Sequence, residues 1–237
     1  METSTKLVTI LCSTYNSEKW VEGYLNSINY QLLGAFDIIF VDANSTDSSL
    51  QIIKDFSFRQ GITKQIVECK DRVTIYDAWN MAVERANTPY VINVNTDDRL
   101  FPAALSTYLS YATTFPTVDV FYSSYQIVDD EKHLHTTAVK FAPPHNHDHL
   151  LQDCYCGPFP FLKRQTIVEE GLFNPEFTIS GDYEMWLRLS KRGRVLAPIS
   201  ETLGSYYDNP TGMSTNRESK HWQEHLYQDK ILRTAYA

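Results

Sequence analysis

The chain has 237 residues, 43% of them apolar, and a formal charge of -8, which is enough material for one sizeable α/β core. The acidic balance leaves no basic footprint, arguing against nucleic acid as a partner and against adhesion to anionic lipid by charge alone. A membrane-spanning helix needs about 20 consecutive apolar residues; no run approaches that, and no basic segment near the start leads into a long apolar stretch, so the expectation is a soluble, unexported chain in the cytoplasm, with the inner face of the membrane as the alternative station.

In chain order, "KLVTILC" reads as a strand and "SEKWVEGYLNSINYQ" as an amphipathic helix. The strand "FDIIFVD", the helix "SSLQIIKDFSFRQ", the strand "KQIVEC", the helix "IYDAWNMAVERAN" and the strand "YVINVN" follow. Strands alternating with helices predict a parallel, doubly wound α/β sheet. Ligands of such sheets collect at the carboxyl ends of the strands, and the loops there read "STYNSE", "DANSTDSS" and "NTDDRL". "RLFPAAL" then starts a helical pattern with Pro102 in its first turn. Beyond residue 115 the pattern predicts a strand at "VDVFYSSYQIV", a loop at "GPFPFLKR", a helix from about Gly181 to Arg192, a strand at "RVLAPIS" and a C-terminal helix over "ESKHWQEHLYQDKILRTAYA". No linker, low-complexity segment or repeat interrupts the chain, so residues 1–237 are expected to form one globule, residues 1–115 holding one ligand and 116–237 shaping the rest of a cleft.

Three local patterns suggest chemistry. Asp97 and Asp98 are adjacent carboxylates at the mouth of an apolar strand; such a pair either sits exposed in a turn or is supplied with a cation. Asp77 and Asn80, three apart on a helix, share a face, with Trp79 and Val83 on another; that polar face either lines a pocket or lies on the surface. Asp182 and Glu184 are two apart on a helix and point nearly opposite ways. Glu184 has Arg188 four residues on, an arrangement suited to a surface ion pair. Asp182 shares its face with Met185, Trp186 and Leu189, which turns it toward core or cleft unless it simply caps its helix.

Taken in sequence, "STYN", "VDANSTDSS", "IYDAWN", "NVNTDDRL" and "GDYEMWLRL" resemble the family 2 glycosyltransferases, over roughly residues 6–215. The resemblance implies a GT-A fold, a mostly parallel twisted sheet flanked by helices in a single domain. It also implies a nucleoside-diphosphate sugar donor, a divalent cation (Mg or Mn), inversion at the anomeric carbon and a hydroxyl acceptor on a glycan or lipid-linked glycan, in bacterial surface polysaccharide assembly. Hard cations take oxygen ligands, and Asp97 falls at the metal-binding end of the family's D-x-D element, with Asn95 at the first position. Asn95 can hydrogen-bond a ribose hydroxyl or a metal-bound water but brings no charge. Asp98 is a second metal ligand, a support, or a helix cap. Thr14, Tyr15 and Asn16 match the nucleotide-contacting turn, Tyr15 either flanking the base or packing under the loop. Asp42 matches the acid that approaches the base, or is a turn acid. Arg72 is a candidate contact to diphosphate or sugar, and Asp77 and Asn80 lie near the nucleotide or the sugar.

Asp182 matches the acid assigned as catalytic base, with Gly181 where the family has glutamate, and "YYDNPTGMST" parallels a segment that closes over the donor, without the histidine some members add to the metal. Phe159 and Phe161 are either sugar platforms or core. His145, His147 and His149 with Asp148 could clamp a metal if the segment were extended, or form a polar loop. Asp47 is expected to cap a helix, and Cys12, Cys69, Cys154 and Cys156 to be free thiols. Two rivals stand. A nucleotidyltransferase would carry a glycine-rich, lysine-bearing first loop, absent from "CSTYNSEKW". A catalytically silent GT-A domain would bind a nucleotide sugar or a protein partner, and Asn95 and Gly181 keep it open.

Overall fold

Alternation along the first strand, β1 (Val8–Thr14), sets the layers of the molecule. Val8, Ile10 and Cys12 face one apolar layer and Leu11 the other, all fully buried, because successive strand side chains point to opposite faces. The computed structural model describes residues 5–237. After β1 come α1 (Glu18–Asn29), β2 (Phe36–Asp42), α2 (Ser49–Asp55), β3 (Ile62–Glu68), α3 (Ile75–Arg85) and β4 (Tyr90–Asn93). The second half adds β5 (Arg99–Leu100), α4 (Ala104–Thr114), β6 (Val120–Val128), β7 (Thr136–Lys140), α5 (His147–Leu150), β8 (Phe161–Lys163), α6 (Arg164–Glu169), α7 (Gly181–Lys191), β9 (Leu196–Tyr207) and α8 (Lys220–Tyr236).

Among the described residues these strands make one nine-stranded sheet in the order β3-β2-β1-β4-β8-β6-β9-β5, with β7 on β6. The first four pair in parallel, as the alternation of strands and helices predicts. The short β8 runs antiparallel to both β4 and β6 and so joins the two halves of the chain into one sheet. One layer packs α1 and α4 on the sheet through Tyr24, Leu25, Leu105 and Tyr108. The other packs α3 and α7 through Trp79, Ala82, Met185 and Trp186. Burying a Leu or Met side chain such as Leu25, Leu105 or Met185 contributes about 1.5–3 kcal/mol, and the Ala82 methyl less.

Four expectations change. "GPFPFLKR" is not all loop: Phe161 belongs to β8 and stacks on Tyr108 with centroids 5.1 Å apart, and Phe159 is equally buried, so both are core. α4 begins at Ala104 behind Ala103, leaving Pro102 ahead of the helix and separating Asp98 from it by β5; Asp98 does not cap it. β9 is longer than "RVLAPIS" and carries the chain to Tyr207. The histidine segment is not extended, since His147 and His149 start α5, and His145 Nε2 and His147 Nδ1 both meet Ser190 Oγ, at 3.0 and 2.8 Å. Among the described residues no helix is long and apolar enough to cross a membrane.

Candidate active site

The carboxyl ends of β1 and β2 lie side by side, with Thr14 in register with Asp42. The loops beyond them are laced together. Asn16, at φ +47°, receives the Thr46 N–H on Oδ1 at 2.8 Å and donates its own N–H to Ser45 Oγ at 3.1 Å. Asp47 lies one residue ahead of Ser48, the N-cap of α2, and accepts from the Ser49 N–H (2.9 Å) and from the Glu18 N–H of α1 (3.0 Å), while Glu18 accepts in return from the Ser48 N–H (2.8 Å). These bonds satisfy amides that helix N-termini leave free. Tyr15 carries the Arg72 guanidinium over its ring, 3.7 Å from the centroid, a cation–π contact. Asp42 is buried; Oδ2 accepts from the Ser45 N–H at 3.0 Å, and Oδ1 has no protein partner. Thr14, Tyr15, Asn16, Asp42 and Arg72 thus form one shelf at the carboxyl ends of the interior strands β1 and β2, with Thr14 and Asp42 buried in it.

On α3 the sequence expectation is reversed. Asp77 closes a capping box with Thr74. Asn80 Nδ2 donates to the Phe173 carbonyl at 2.8 Å and its Oδ1 accepts from the Phe173 N–H at 3.0 Å. The Asn80 amide and Asp77 Oδ2 are therefore engaged by the fold, and Trp79 is the α3 residue that lines the nearby cavity.

That cavity, of about 190 Å³, lies between the end of β4 and the start of α7, with Asn93, Asn95, Trp79, Cys154, Asp182 and Trp186 in its wall. Tyr206 and Ser214 close it from the far side, within and just beyond β9. Asp182 stands in the first turn of α7, where Ser180 rather than Asp182 is the N-cap residue. Its Oδ1 accepts from the Tyr183 N–H (2.9 Å) and from the Tyr76 hydroxyl (3.1 Å). Burial raises the Asp182 carboxyl above its ordinary range, while those two hydrogen bonds pull it back down. The loop ahead of it is gripped from α8: Gln228 Oε1 accepts from the Ile179 and Ser180 N–H groups at 3.2 and 3.1 Å, and Ser180 Oγ donates to Asp229 at 2.7 Å. Glu184 forms the ion pair with Arg188 that its spacing suggests, at 2.9 Å, but buried rather than on the surface, and it also receives the Tyr236 hydroxyl.

Asp97 lies beside the cavity rather than in its wall. Its Oδ2 accepts from Asn209 Nδ2 at 3.1 Å and its carbonyl receives His133 Nε2 at 2.8 Å. Burial raises the Asp97 carboxyl, partly offset by Asn209. Asp98 is turned inward: its Oδ1 accepts from the Tyr207 N–H at 3.2 Å, Oδ2 is buried without a protein partner, and burial together with the Asp97 charge pushes its carboxyl well above the usual range. This geometry ties Asp98 to Tyr207, the last residue of β9. The donor set fits a hard divalent cation that retains waters and is completed by substrate phosphate, a mode that needs only one or two carboxylates. Asp97 would be the carboxylate of such a set, and the unpartnered Asn95 Oδ1 lies two residues before it. Among the described residues, no cluster of three or more His, Cys, Asp or Glu could hold a metal alone.

Sequence reasoning missed Tyr76, Asn209 and His133. Tyr76 and Asn209 fall inside the quoted segments "IYDAWN" and "YYDNPTGMST", so their partners were hidden but not their positions. His133 had no signal, because only the β6–β7 turn, which gives it φ +59°, brings it to Asp97.

Residues 9–170 match the glycosyl transferase family 2 model. Amylovoran biosynthesis glycosyltransferase AmsE of Erwinia amylovora is 24% identical over 83% of this chain and 74% of its own length. Teichoic acid poly(glycerol phosphate) polymerase of Staphylococcus epidermidis is 29% identical over 43% of this chain, and the matched part spans only 14% of that polymerase. The crystal structure of S. aureus TarS 1-349 in complex with UDP-GlcNAc superposes with a TM-score of 0.75 at 19% identity, over 98% of this chain and 66% of that one. The fold is accordingly the GT-A fold that the five motifs imply, and with residues 9–170 matched the chain belongs to glycosyl transferase family 2.

Proposed function

We propose that this protein is a metal-dependent, inverting glycosyltransferase that moves a sugar from a nucleoside-diphosphate donor to a hydroxyl of a glycan or lipid-linked acceptor, in bacterial polysaccharide assembly. The observation that carries the reading is Asp182, a carboxylate with raised proton affinity in the wall of the same cavity as Asn93 and Asn95 at the end of β4. In this reading Asp182 takes the proton of the acceptor hydroxyl as its oxygen bonds to the anomeric carbon from the face opposite the leaving group. The anomeric C–O bond to the diphosphate breaks, and its electron pair leaves with the diphosphate. Tyr76 and the Tyr183 N–H hold Asp182 in one orientation, which keeps the base aimed. Asp97, with Asn209 fixing one of its oxygens, would hold Mg or Mn, whose charge makes the diphosphate a better leaving group when bound. The shelf of Thr14, Tyr15, Asn16, Asp42 and Arg72 would take the nucleotide, the unpartnered Asp42 Oδ1 being suited to a donor on the base or ribose.

A screen of nucleoside-diphosphate sugars for hydrolysis and transfer with Mn or Mg, with and without EDTA, tests the reading. Turnover that depends on the metal and is lost in Asp97→Ala supports it. Donor binding without turnover for any sugar or acceptor would favour the silent binding domain.

A further inference from the structure

We infer that Gln228 of α8 is a positioning residue for Asp182: it clamps the peptide group between Ile179 and Ser180, and so sets how the Tyr76 phenol divides its proton between the Ile179 carbonyl and the Asp182 carboxylate. The inference rests on the transferase reading only for the role of Asp182 as base; its own basis is the contact between α8 and the start of α7. Gln228 and Leu232 are the buried residues of α8, while Leu226 and Tyr227 lie exposed on the same helix. A buried amide is costly unless its hydrogen bonds are made, and this one makes all four that an amide can make. Oε1 accepts from the Ile179 and Ser180 N–H groups at 3.2 and 3.1 Å, and Nε2 donates to Glu224 Oε1 at 2.8 Å and to Thr178 Oγ1 at 3.1 Å. These partners fix which end of the amide is oxygen, since the reverse placement would set its NH2 against two N–H groups.

The Ile179 carbonyl and the Ser180 N–H belong to one planar peptide group. Gln228 takes the N–H from α8 and Tyr76 of α3 donates to the carbonyl, so the plane is held at both ends. The same phenol stands 3.1 Å from Asp182 Oδ1 and has one proton for the two acceptors. A hydrogen bond from the N–H of a peptide group polarises it and strengthens its carbonyl as an acceptor, so Gln228 draws the phenol proton toward Ile179 and away from Asp182. Ser180, the N-cap residue of α7, makes no side-chain cap bond; its hydroxyl turns instead to Asp229 at 2.7 Å and to His225 Nδ1 at 3.0 Å, both on α8. The start of the helix that carries Asp182 is thus fixed from α8. The other ionisable groups around Asp182 are Cys154 and Cys156 ahead of β8, His225 and Asp229 on α8, and Tyr125 and Tyr206 across the cavity. Burial keeps these thiols and phenols protonated near neutral pH, and His225, when charged, lowers the Asp182 carboxyl. The substitutions that test the clamp leave all six in place.

The test reads the Asp182 carboxyl directly, by carbon-13 NMR of the aspartate-labelled full chain titrated without substrate, with Asp182→Asn identifying the resonance. Donor affinity and the pH dependence of turnover are measured beside it. Gln228→Met keeps the reach of the side chain and removes the acceptor from both N–H groups. It should release the Tyr76 proton to Asp182 and move the carboxyl titration down by about 0.5–1 pH unit, the worth of one hydrogen bond, with the acid limb of turnover following it to lower pH. Turnover should fall by about tenfold as the base loses its aim, while donor affinity stays within about twofold. Tyr76→Phe moves the carboxyl the opposite way, and in the double variant of Tyr76→Phe and Gln228→Met the carboxyl should titrate where Tyr76→Phe alone puts it. A carboxyl that stays in place or moves up in Gln228→Met, or a shift that persists without the Tyr76 hydroxyl, overturns the inference. Thr178→Val, an exposed and uncharged change that removes one acceptor from Nε2, should move the carboxyl down by less, and decides by the same signs if Gln228→Met does not fold. Turnover whose acid limb fails to follow a shifted carboxyl would count against Asp182 as the base, and so against the transferase reading, and leave the clamp standing.

Discussion

Tyr76 and Asp182, 106 positions apart in the chain, meet at 3.1 Å, the phenol sharing its one proton between Asp182 Oδ1 and the nearer Ile179 carbonyl. The same tyrosine ring stands 2.9 Å from where a Cβ on Gly181 would lie. The glycine that replaces the family's glutamate is therefore the space into which Tyr76 fits, and the two positions set the aim of Asp182 together.

Gly181→Ala should accordingly destabilise the protein by roughly 1–3 kcal/mol, the usual cost of overpacking, and should lower turnover because either Tyr76 or the start of α7 must move. Gly181→Glu should be worse. Thermal denaturation together with steady-state rates checks this; an unchanged melting temperature in Gly181→Ala would mean that the contact relaxes freely.

Removing the Tyr76 hydroxyl acts on protons rather than on packing. Its hydrogen bond favours the charged form of Asp182 and lowers a carboxyl that burial has raised. Tyr76→Phe should raise the Asp182 pKa, so the acid limb of the kcat profile moves to higher pH, and the plateau rate should fall as well because the carboxylate loses one of the bonds that aim it. A profile whose acid limb stays in place would contradict the effect on the proton.

Glu170 links the end of α6 to the chain beyond α7. It accepts from Arg194 Nε at 2.7 Å and pairs with Arg192 at 2.5 Å. Those hydrogen bonds, Arg192 first, hold its carboxyl below the ordinary range, so its contribution is present above the unfolded carboxyl value of about 4.3 and disappears as pH falls through the lowered folded value. Arg192 is more than half exposed, and solvent screening keeps the worth of the network to about 1 kcal/mol. Glu170→Gln should melt earlier than wild type near neutral pH, with the gap closing below roughly pH 4; a gap that persists in acid would contradict this account.

Asn209 donates to Asp97 Oδ2 and so fixes the carboxylate proposed to hold the cation. Asn209→Ala should raise the Mn concentration needed for half-maximal rate several-fold, with a rate at saturating Mn near wild type. Asp97→Ala should lose activity at every metal concentration, as read from metal titrations of turnover.

The parallel half of the sheet was legible because β1, β2 and β4 are short apolar runs ended by polar loops, and the inward direction of Asp182 was legible because it shares a helix face with Met185 and Trp186. β8 was not, since three residues inside "GPFPFLKR" carry no period and are strand only because β4 and β6 flank them. The place of Asn80, left open between pocket and surface, was not legible for a related reason: helical spacing fixes which residues share a face, but not that Phe173 lies 93 positions ahead to take up the amide. Trp79 was placed on another face by the same argument, and it is Trp79 that lines the cavity.

The most direct measurement is the Asp182→Asn variant, assayed for donor affinity and for turnover with the donor that wild type uses. The account predicts donor binding within about twofold of wild type and turnover lower by about 10²–10⁴, the contribution of a positioned general base. Turnover equal to wild type would remove Asp182 from the chemistry, and with it the reading of this cavity as the place where the acceptor loses its proton.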